Sequence, residues 1–163
     1  VTKCAPDISG ETKNRLIKEI KPLPYQQLYF TTFEYGQLYH INSGQMMNPP
    51  AHTEVLLVTG IANPSPLKKL LEERSNGYHL LQYPDHHVFS IDDLVEIHKK
   101  FDNIEAAEKI ILTTEKDAVR LKKFSAEISG LPFYVIPVRH RFLFNEEQKF
   151  LDQVSSFITD FMQ

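Results

Sequence analysis

The sequence predicts an α/β fold: a Rossmann-like, mostly parallel sheet with helices on both faces, preceded by a helix and a β-hairpin linker. Three observations lead there. From Glu54 onward, short apolar runs recur without polar alternation: "EVLLVTGI", "YHLLQYP", "KIILTT" and "FYVIPV". Strands buried on both faces read this way. Segments of helical spacing separate these runs, and strands alternating with helices mean a parallel sheet. The chain has 163 residues, 42% hydrophobic and 24% charged. That is enough for the core of one domain, or of a domain with an appendage.

The elements follow in order. The opening "VTK" reads as the end of a buried strand, so a boundary inside a longer protein is expected. Glu11 to Lys21 carries Leu16, Ile17 and Ile20 on one helical face and stops before the prolines at 22 and 24. Gln26 to Ile41 alternates, is rich in Tyr, Phe and Thr, and breaks at Glu34-Tyr35-Gly36, which predicts a hairpin. "NSGQMMNPPAHT" is a polar, Pro-rich linker, and a division is expected there, with residues 1–50 before it and 51–163 after it. The first buried strand begins at Glu54. A helix from Pro64 to Arg74 turns Leu67, Leu70 and Leu71 inward. Further helices are expected at Ile91–Phe101, Glu115–Phe124 and Glu146–Met162. The last has Phe150, Leu151, Val154, Phe157, Ile158 and Phe161 on its apolar side.

Charge and cysteine content exclude several classes. The net charge of −3 gives no general electrostatic case for nucleic acid or an anionic membrane. Cys4 is the single cysteine, so no internal disulfide forms and a reducing compartment fits. No apolar run approaches the roughly 18 residues of a membrane span. The N-terminus lacks the apolar stretch of a signal peptide.

Three strands end in polar clusters: Thr59-Gly60-Ile61-Ala62-Asn63-Pro64, Pro84-Asp85-His86-His87 and Thr113-Thr114-Glu115-Lys116-Asp117. In a parallel sheet all three must lie at the carboxyl edge, where open α/β sheets bind ligands. Helix capping by itself accounts for Asn63, followed by a proline, and for Thr114 and Asp117, which resemble a capping box. Capping does not account for Asp85-His86-His87, which precedes the cap expected at Ser90. A metal centre is not indicated. Adjacent His86 and His87 tend to point apart in extended chain, His79 sits within a strand, and neither CxxC nor HExxH occurs. Glycines stand at 10, 36, 44, 60, 77 and 130, and no pair has the spacing of a phosphate-binding loop. A helix N-terminus at Asn63, Ser90 or Thr114 could hold one anion, with Lys116 as a point charge.

"VTGIANP", "YPDHHVFS" and "ILTTEKDAVRL", in this order and spacing, resemble the C-terminal part of the tetraacyldisaccharide 4'-kinase family. The resemblance covers essentially the whole chain. It implies a P-loop nucleotide domain followed by a smaller α/β domain, with the site in the cleft between them. Residues 1–50 would then be the end of the nucleotide domain and the interdomain hairpin, and 51–163 the second domain. The Walker lysine, the Mg²⁺ ligands and the D-D-G-F-Q-H motif of the family are absent from this sequence. The resemblance therefore implies a kinase as the parent protein and no catalysis by this chain alone. ATP and Mg²⁺ would be bound mainly by the missing N-terminal domain. The partner would be the lipid A disaccharide precursor, reached at the cytoplasmic face of the bacterial inner membrane by peripheral attachment. His86, with Asp85 beside it, is implied as the catalytic histidine, pairing with an aspartate of the missing domain to act on the acceptor hydroxyl. Asn63, Thr114, Glu115, Lys116 and Asp117 are implied near the substrate or the interdomain cleft, and Lys3 near the nucleotide.

The residues also admit a Rossmann-like module that binds a sugar or nucleotide without chemistry. A third reading is an interaction domain that docks a partner through the aromatic hairpin. In the kinase reading Tyr29, Phe30, Phe33, Met46 and Met47 would touch lipid or the missing domain; in the ordinary reading they are core.

Overall fold

The computed structural model describes residues 1–50, 52–75 and 77–161. Ala51, where the second domain is expected to begin, and Met162, the expected end of the last helix, lie outside the described residues. The chain forms two compact units, Val1–Tyr35 with Val138–Gln163 and Gly36–Pro137. It passes between them at Tyr35–Gly36 and again at Pro137–Val138.

The larger unit holds a six-stranded sheet. Its strands are β2 (Leu38–His40), β3 (Met46–Met47), β4 (Glu54–Thr59), β5 (Gly77–Gln82), β6 (Lys109–Thr114) and β7 (Phe133–Ile136), in the order β3-β2-β7-β6-β4-β5. β5, β4, β6 and β7 run parallel, while β2 and β3 join antiparallel at one edge. The mostly parallel sheet is thus the one the unalternating apolar runs predict. The crossovers are α2 (Ser65–Arg74), α3 (Ile91–Asp102) and α4 (Glu115–Leu121).

The order of strands dictates which face each helix covers. Right-handed crossovers put α2 on one side, because β4 to β5 steps outward. The return from β5 to β6 and the step on to β7 put α3 and α4 on the other side. Packing agrees. Leu56, Val58, Ile111, Phe133 and Val135 form one core with Leu94, Ile97 and Phe101 of α3 and Ala118 and Leu121 of α4. Val55, Leu57, Ile110 and Leu112 alternate to the opposite face, and Leu67 and Leu71 of α2 are buried outside that core. The register Val55↔Ile110, Leu56↔Ile111, Leu57↔Leu112 keeps these faces matched.

The expected hairpin between Gln26 and Ile41 does not form. β1 (Thr31–Tyr35) pairs antiparallel with β8 (Val138–Phe142), from Thr31↔Phe142 to Tyr35↔Val138, while β2 pairs with β7 and β3. The break at Glu34-Tyr35-Gly36 is not a reversal. Gly36 N–H donates to Pro137 O at 3.0 Å, and a Cβ on Gly36 would meet Pro137 Cγ at 2.9 Å. The glycine makes room for a proline facing it. The expected linker also differs, since Met46–Met47 adds the edge strand β3. The expected helix 115–124 is α-helical only to Leu121 and tightens into a 3₁₀ turn over Lys122–Phe124.

The smaller unit contains β1, β8, α1 (Gly10–Ile20) and α5 (Glu147–Phe161). Ser9 caps α1 by accepting from Thr12 N. Phe30 and Leu143 are buried, and Lys13 reaches Glu146 at 2.8 Å while lying 4.3 Å from the centre of the Phe144 ring. Tyr29 and Phe142 both pack on Phe150, with ring centres 5.2 and 5.0 Å apart. Residues 1–3 are exposed and not in a strand, in contrast to the buried strand end expected there, although Thr31 N donates to Val1 O. Beyond Phe150 the apolar side of α5 is exposed, with Phe157 at 70% and Phe161 at 83%. Helical periodicity identifies a face fit for burial; it does not supply the neighbour.

Candidate functional site

The three polar clusters do meet, within the larger unit, at the carboxyl edge of the sheet. Asp117 is their centre. It lies in the first turn of α4 and is 0% exposed. A buried carboxyl group needs donors, and four reach it. Oδ2 accepts from Gly60 N at 3.0 Å, from Thr114 Oγ1 at 2.9 Å and from Thr59 Oγ1 at 3.3 Å. Oδ1 accepts from Arg120 Nη1 at 3.1 Å. These bonds tie the end of β4 to the start of α4.

Thr114 is the N-cap of α4, and its Oγ1 accepts from Asp117 N at 3.2 Å. The box that the sequence pattern resembles is only half made, because the Asp117 carboxylate reaches across to β4.

The turn after β5 packs against the same knot. A Cβ on Gly60 would sit 3.2 Å from Pro84 O, 3.3 Å from His87 Cβ and 3.4 Å from Asp117 Oδ1. Only glycine lets these segments approach so closely. His87 N donates to Pro84 O at 3.2 Å, and His86 N to Asp85 Oδ1 at 3.0 Å. His86 takes a left-handed backbone conformation, φ 62°. That conformation is uncommon for residues with a side chain, though His is among those enriched in it.

The two histidines part at this turn. His87 stacks on Tyr83, with ring centres 4.5 Å apart, and meets Phe89 edge-on at 5.1 Å. Its Nε2 is 2.9 Å from Asp93 Oδ2. Asp93 also closes a full capping box with Ser90 at the start of α3. Burial pushes the Asp93 carboxyl upward, but the bonds from His87 and Ser90 outweigh it and hold the group below its ordinary value. Tyr83 is pushed well above the ordinary phenol value by burial, then by Glu96 and Asp93. His86, by contrast, has a 71% exposed side chain. Its Nδ1 lies 3.3 Å from Arg120 Nη2, and its Nε2 lies 3.6 Å from Asp85 Oδ2.

Of the residues singled out from sequence, Asp85, His86, Thr114 and Asp117 come together here. Asn63 is exposed and its Oδ1 accepts from Ser65 N at 3.1 Å; Pro64, not Asn63, occupies the cap position of α2. Glu115 is exposed and acts on Tyr39, whose phenol is raised by burial and by that charge. Lys116 is exposed. Lys3 belongs to the smaller unit, where its ammonium lies 5.9 Å from the centre of the Phe33 ring. Sequence reasoning missed Arg120. Its signal was the spacing from Asp117, since residues three apart share a helix face.

Among the described residues, no group of three or more His, Cys, Asp or Glu could hold a metal ion. What the edge offers is a buried, fully engaged carboxylate, a guanidinium and an exposed imidazole.

The family model for tetraacyldisaccharide-1-P 4'-kinase matches residues 8–159. The tetraacyldisaccharide 4'-kinase of Bacteroides fragilis is 34% identical over 169 residues, covering 98% of this chain and 45% of that protein. That of Bacteroides thetaiotaomicron is 34% identical over 175 residues, covering 98% and 46%. That of Flavobacterium psychrophilum is 31% identical over 163 residues, covering 97% and 44%. The chain thus spans less than half the length of these curated relatives. A crystal structure of the "apo" form of LpxK from Aquifex aeolicus in complex with ATP overlaps 83% of this chain and 39% of its own, at 15% identity and a TM-score of 0.45. With the family model matching nearly end to end and curated members one-third identical along almost all of it, this chain belongs to the tetraacyldisaccharide-1-P 4'-kinase family.

Proposed function

We propose that the full-length protein is an ATP-dependent lipid kinase, and that this chain supplies a histidine to its active site. The acceptor is the 4'-hydroxyl of the tetraacyldisaccharide 1-phosphate precursor of lipid A. The γ-phosphoryl group passes from ATP to the 4'-oxygen, ADP leaves, and the hydroxyl proton goes to a carboxylate base. His86 orients that base and the acceptor oxygen from this side. Asp85 steadies the turn that presents it. The observation that carries this reading is the His86 side chain itself, 71% exposed at the carboxyl edge of a chain of this family.

The donor set described above does not fit Mg²⁺. Asp117, the buried carboxylate of this edge, faces donors at both oxygens. Nor does any glycine pair form a phosphate loop. ATP and Mg²⁺ are therefore assigned to polypeptide beyond this chain, a P-loop domain preceding it, and the isolated chain is proposed to be inactive. Residues 1–50 are assigned to the end of that domain and the link, and 51–163 to the second domain. Asn63, Thr114, Glu115, Lys116 and Asp117 are placed at the cleft, with Lys3 toward the nucleotide. No helix among the described residues is long and apolar enough to cross a membrane. The proposed location is peripheral, at the cytoplasmic face of the bacterial inner membrane, where the glycolipid is met.

The test is His86→Ala in the full-length enzyme. Turnover should fall by roughly 10²–10³-fold, with KM for the glycolipid little changed. Unchanged turnover removes His86 from the mechanism. A change in KM alone would favour a ligand-binding role without chemistry.

A further inference from the structure

We infer that Arg120 is a positioning residue that fixes the tautomer of His86. The inference about catalysis rests on the reading of His86 just given; the inference about the tautomer does not. A guanidinium has N–H donors and no acceptor. Arg120 Nη2 lies 3.3 Å from His86 Nδ1. The neutral ring can accept there only through an unprotonated Nδ1, so its proton sits on Nε2.

Arg120 is itself held. Its Nη1 is bound to Asp117 Oδ1 at 3.1 Å and lies 3.5 Å from Gly60 O. Asp117 is anchored in turn by Gly60, Thr59 and Thr114. The chain of contacts runs from the end of β4 through α4 to the turn after β5, and every link before His86 is buried or half-buried. At 3.6 Å, Asp85 Oδ2 is beyond hydrogen-bond reach of Nε2. The Nε2–H is therefore left to donate to an incoming oxygen, which is the atom a histidine must offer to orient a carboxylate base. A purely structural role would have Arg120 brace Asp117 and leave the ring of His86 free.

The two roles separate by ¹⁵N NMR of the histidine rings in this chain, at a pH where imidazoles are neutral. His86 should show a pyrrole-like Nε2 and a pyridine-like Nδ1 shifted by its donor. In Arg120→Met, the Nδ1 signal should move to that of an exposed histidine such as His52. His87, bound to Asp93 in a separate network, should stay put. Arg120→Met strands Asp117, so the double variant Asp117→Asn/Arg120→Met gives the same reading without a buried unpaired charge. His86 signals unmoved in both variants overturn the inference. So do signals of His86 and His87 that move together in both, since that reports general loosening. In the full-length enzyme, Arg120→Met should lower kcat on the order of tenfold to hundredfold with KM held. A His86→Ala enzyme of normal turnover, with the NMR result intact, would sink the catalytic reading and leave the tautomer assignment standing.

Discussion

Removing the Asp117 carboxylate should unfold the larger unit more readily than almost any other polar substitution in the chain. The perturbation is Asp117→Ala. Gly60 N loses its acceptor at 3.0 Å and Thr59 Oγ1 loses one at 3.3 Å, and both residues are buried. Each orphaned buried group costs roughly 1–3 kcal/mol. Arg120 loses its partner as well, but its side chain is 23% exposed, so water recovers part of that loss. The sum is about 3–5 kcal/mol, the range for breaking a buried ion pair from one side. For a chain of this size that is a fall in Tm of about 6–20 °C. Urea unfolding of the chain, followed by circular dichroism, should show the midpoint lowered with the slope kept. Asp117→Asn keeps the volume but brings donors to a place where every neighbour already donates. It should fall between Asp117→Ala and the parent, at roughly 2–3 kcal/mol. A loss below about 1 kcal/mol for Asp117→Ala would refute the reasoning, because the knot would then not be holding the sheet edge.

Two further outcomes follow from the same edge. Gly60→Ala should destabilise by about 1–3 kcal/mol, because its Cβ would press at 3.2 Å on a backbone oxygen that cannot swing aside; thermal melting equal to the parent would contradict this. Asp93 is held below its ordinary value, so its stabilising contribution is present above about pH 4 and is lost as pH falls through its lowered value. Asp93→Asn should flatten the acid limb of a stability-against-pH curve, and an unchanged acid limb would count against the His87–Asp93 pairing.

The edge was legible in the sequence because topology does the work there. Apolar runs without alternation require a parallel sheet, and a parallel sheet puts every strand's C-terminal residues on one side. Thr59, His86 and Asp117 could be brought together with no knowledge of their side-chain bonds. The β1–β8 pairing was not legible for the opposite reason. An alternating strand reads the same whichever neighbour it pairs with, and its partner lies more than 100 residues on, from Thr31 to Phe142. Gly36 then looked like a turn when it was clearance for Pro137. Arg120 was not legible, because two of its contacts, Gly60 O and His86 Nδ1, come from other strand ends.

The carboxyl edge also explains why two histidines stand side by side. Ser90-x-x-Asp93 and Thr114-x-x-Asp117 are nearly the same pattern, and each opens a helix. Their hydrogen bonds differ because of what approaches each cap: the turn after β5 at α3, and the end of β4 at α4. At α3, His87 turns in, lies flat on Tyr83 and bonds Asp93, which keeps its capping box. At α4, Gly60 and Arg120 claim the Asp117 carboxylate, and Arg120 passes the contact on to His86. One histidine is thereby spent on fixing the turn, and the next residue back, in its left-handed conformation, is free to face outward. One histidine would be hard put to do both: the ring stacked on Tyr83 already has its Nε2 on Asp93, and an exposed ring needs a neighbour to hold the turn that carries it. The pair Asp93–His87 holds one side of the turn, the pair Asp117–Arg120 meets the ring of His86 on the other, and in the proposed function the exposed side chain of His86 is what both leave for chemistry.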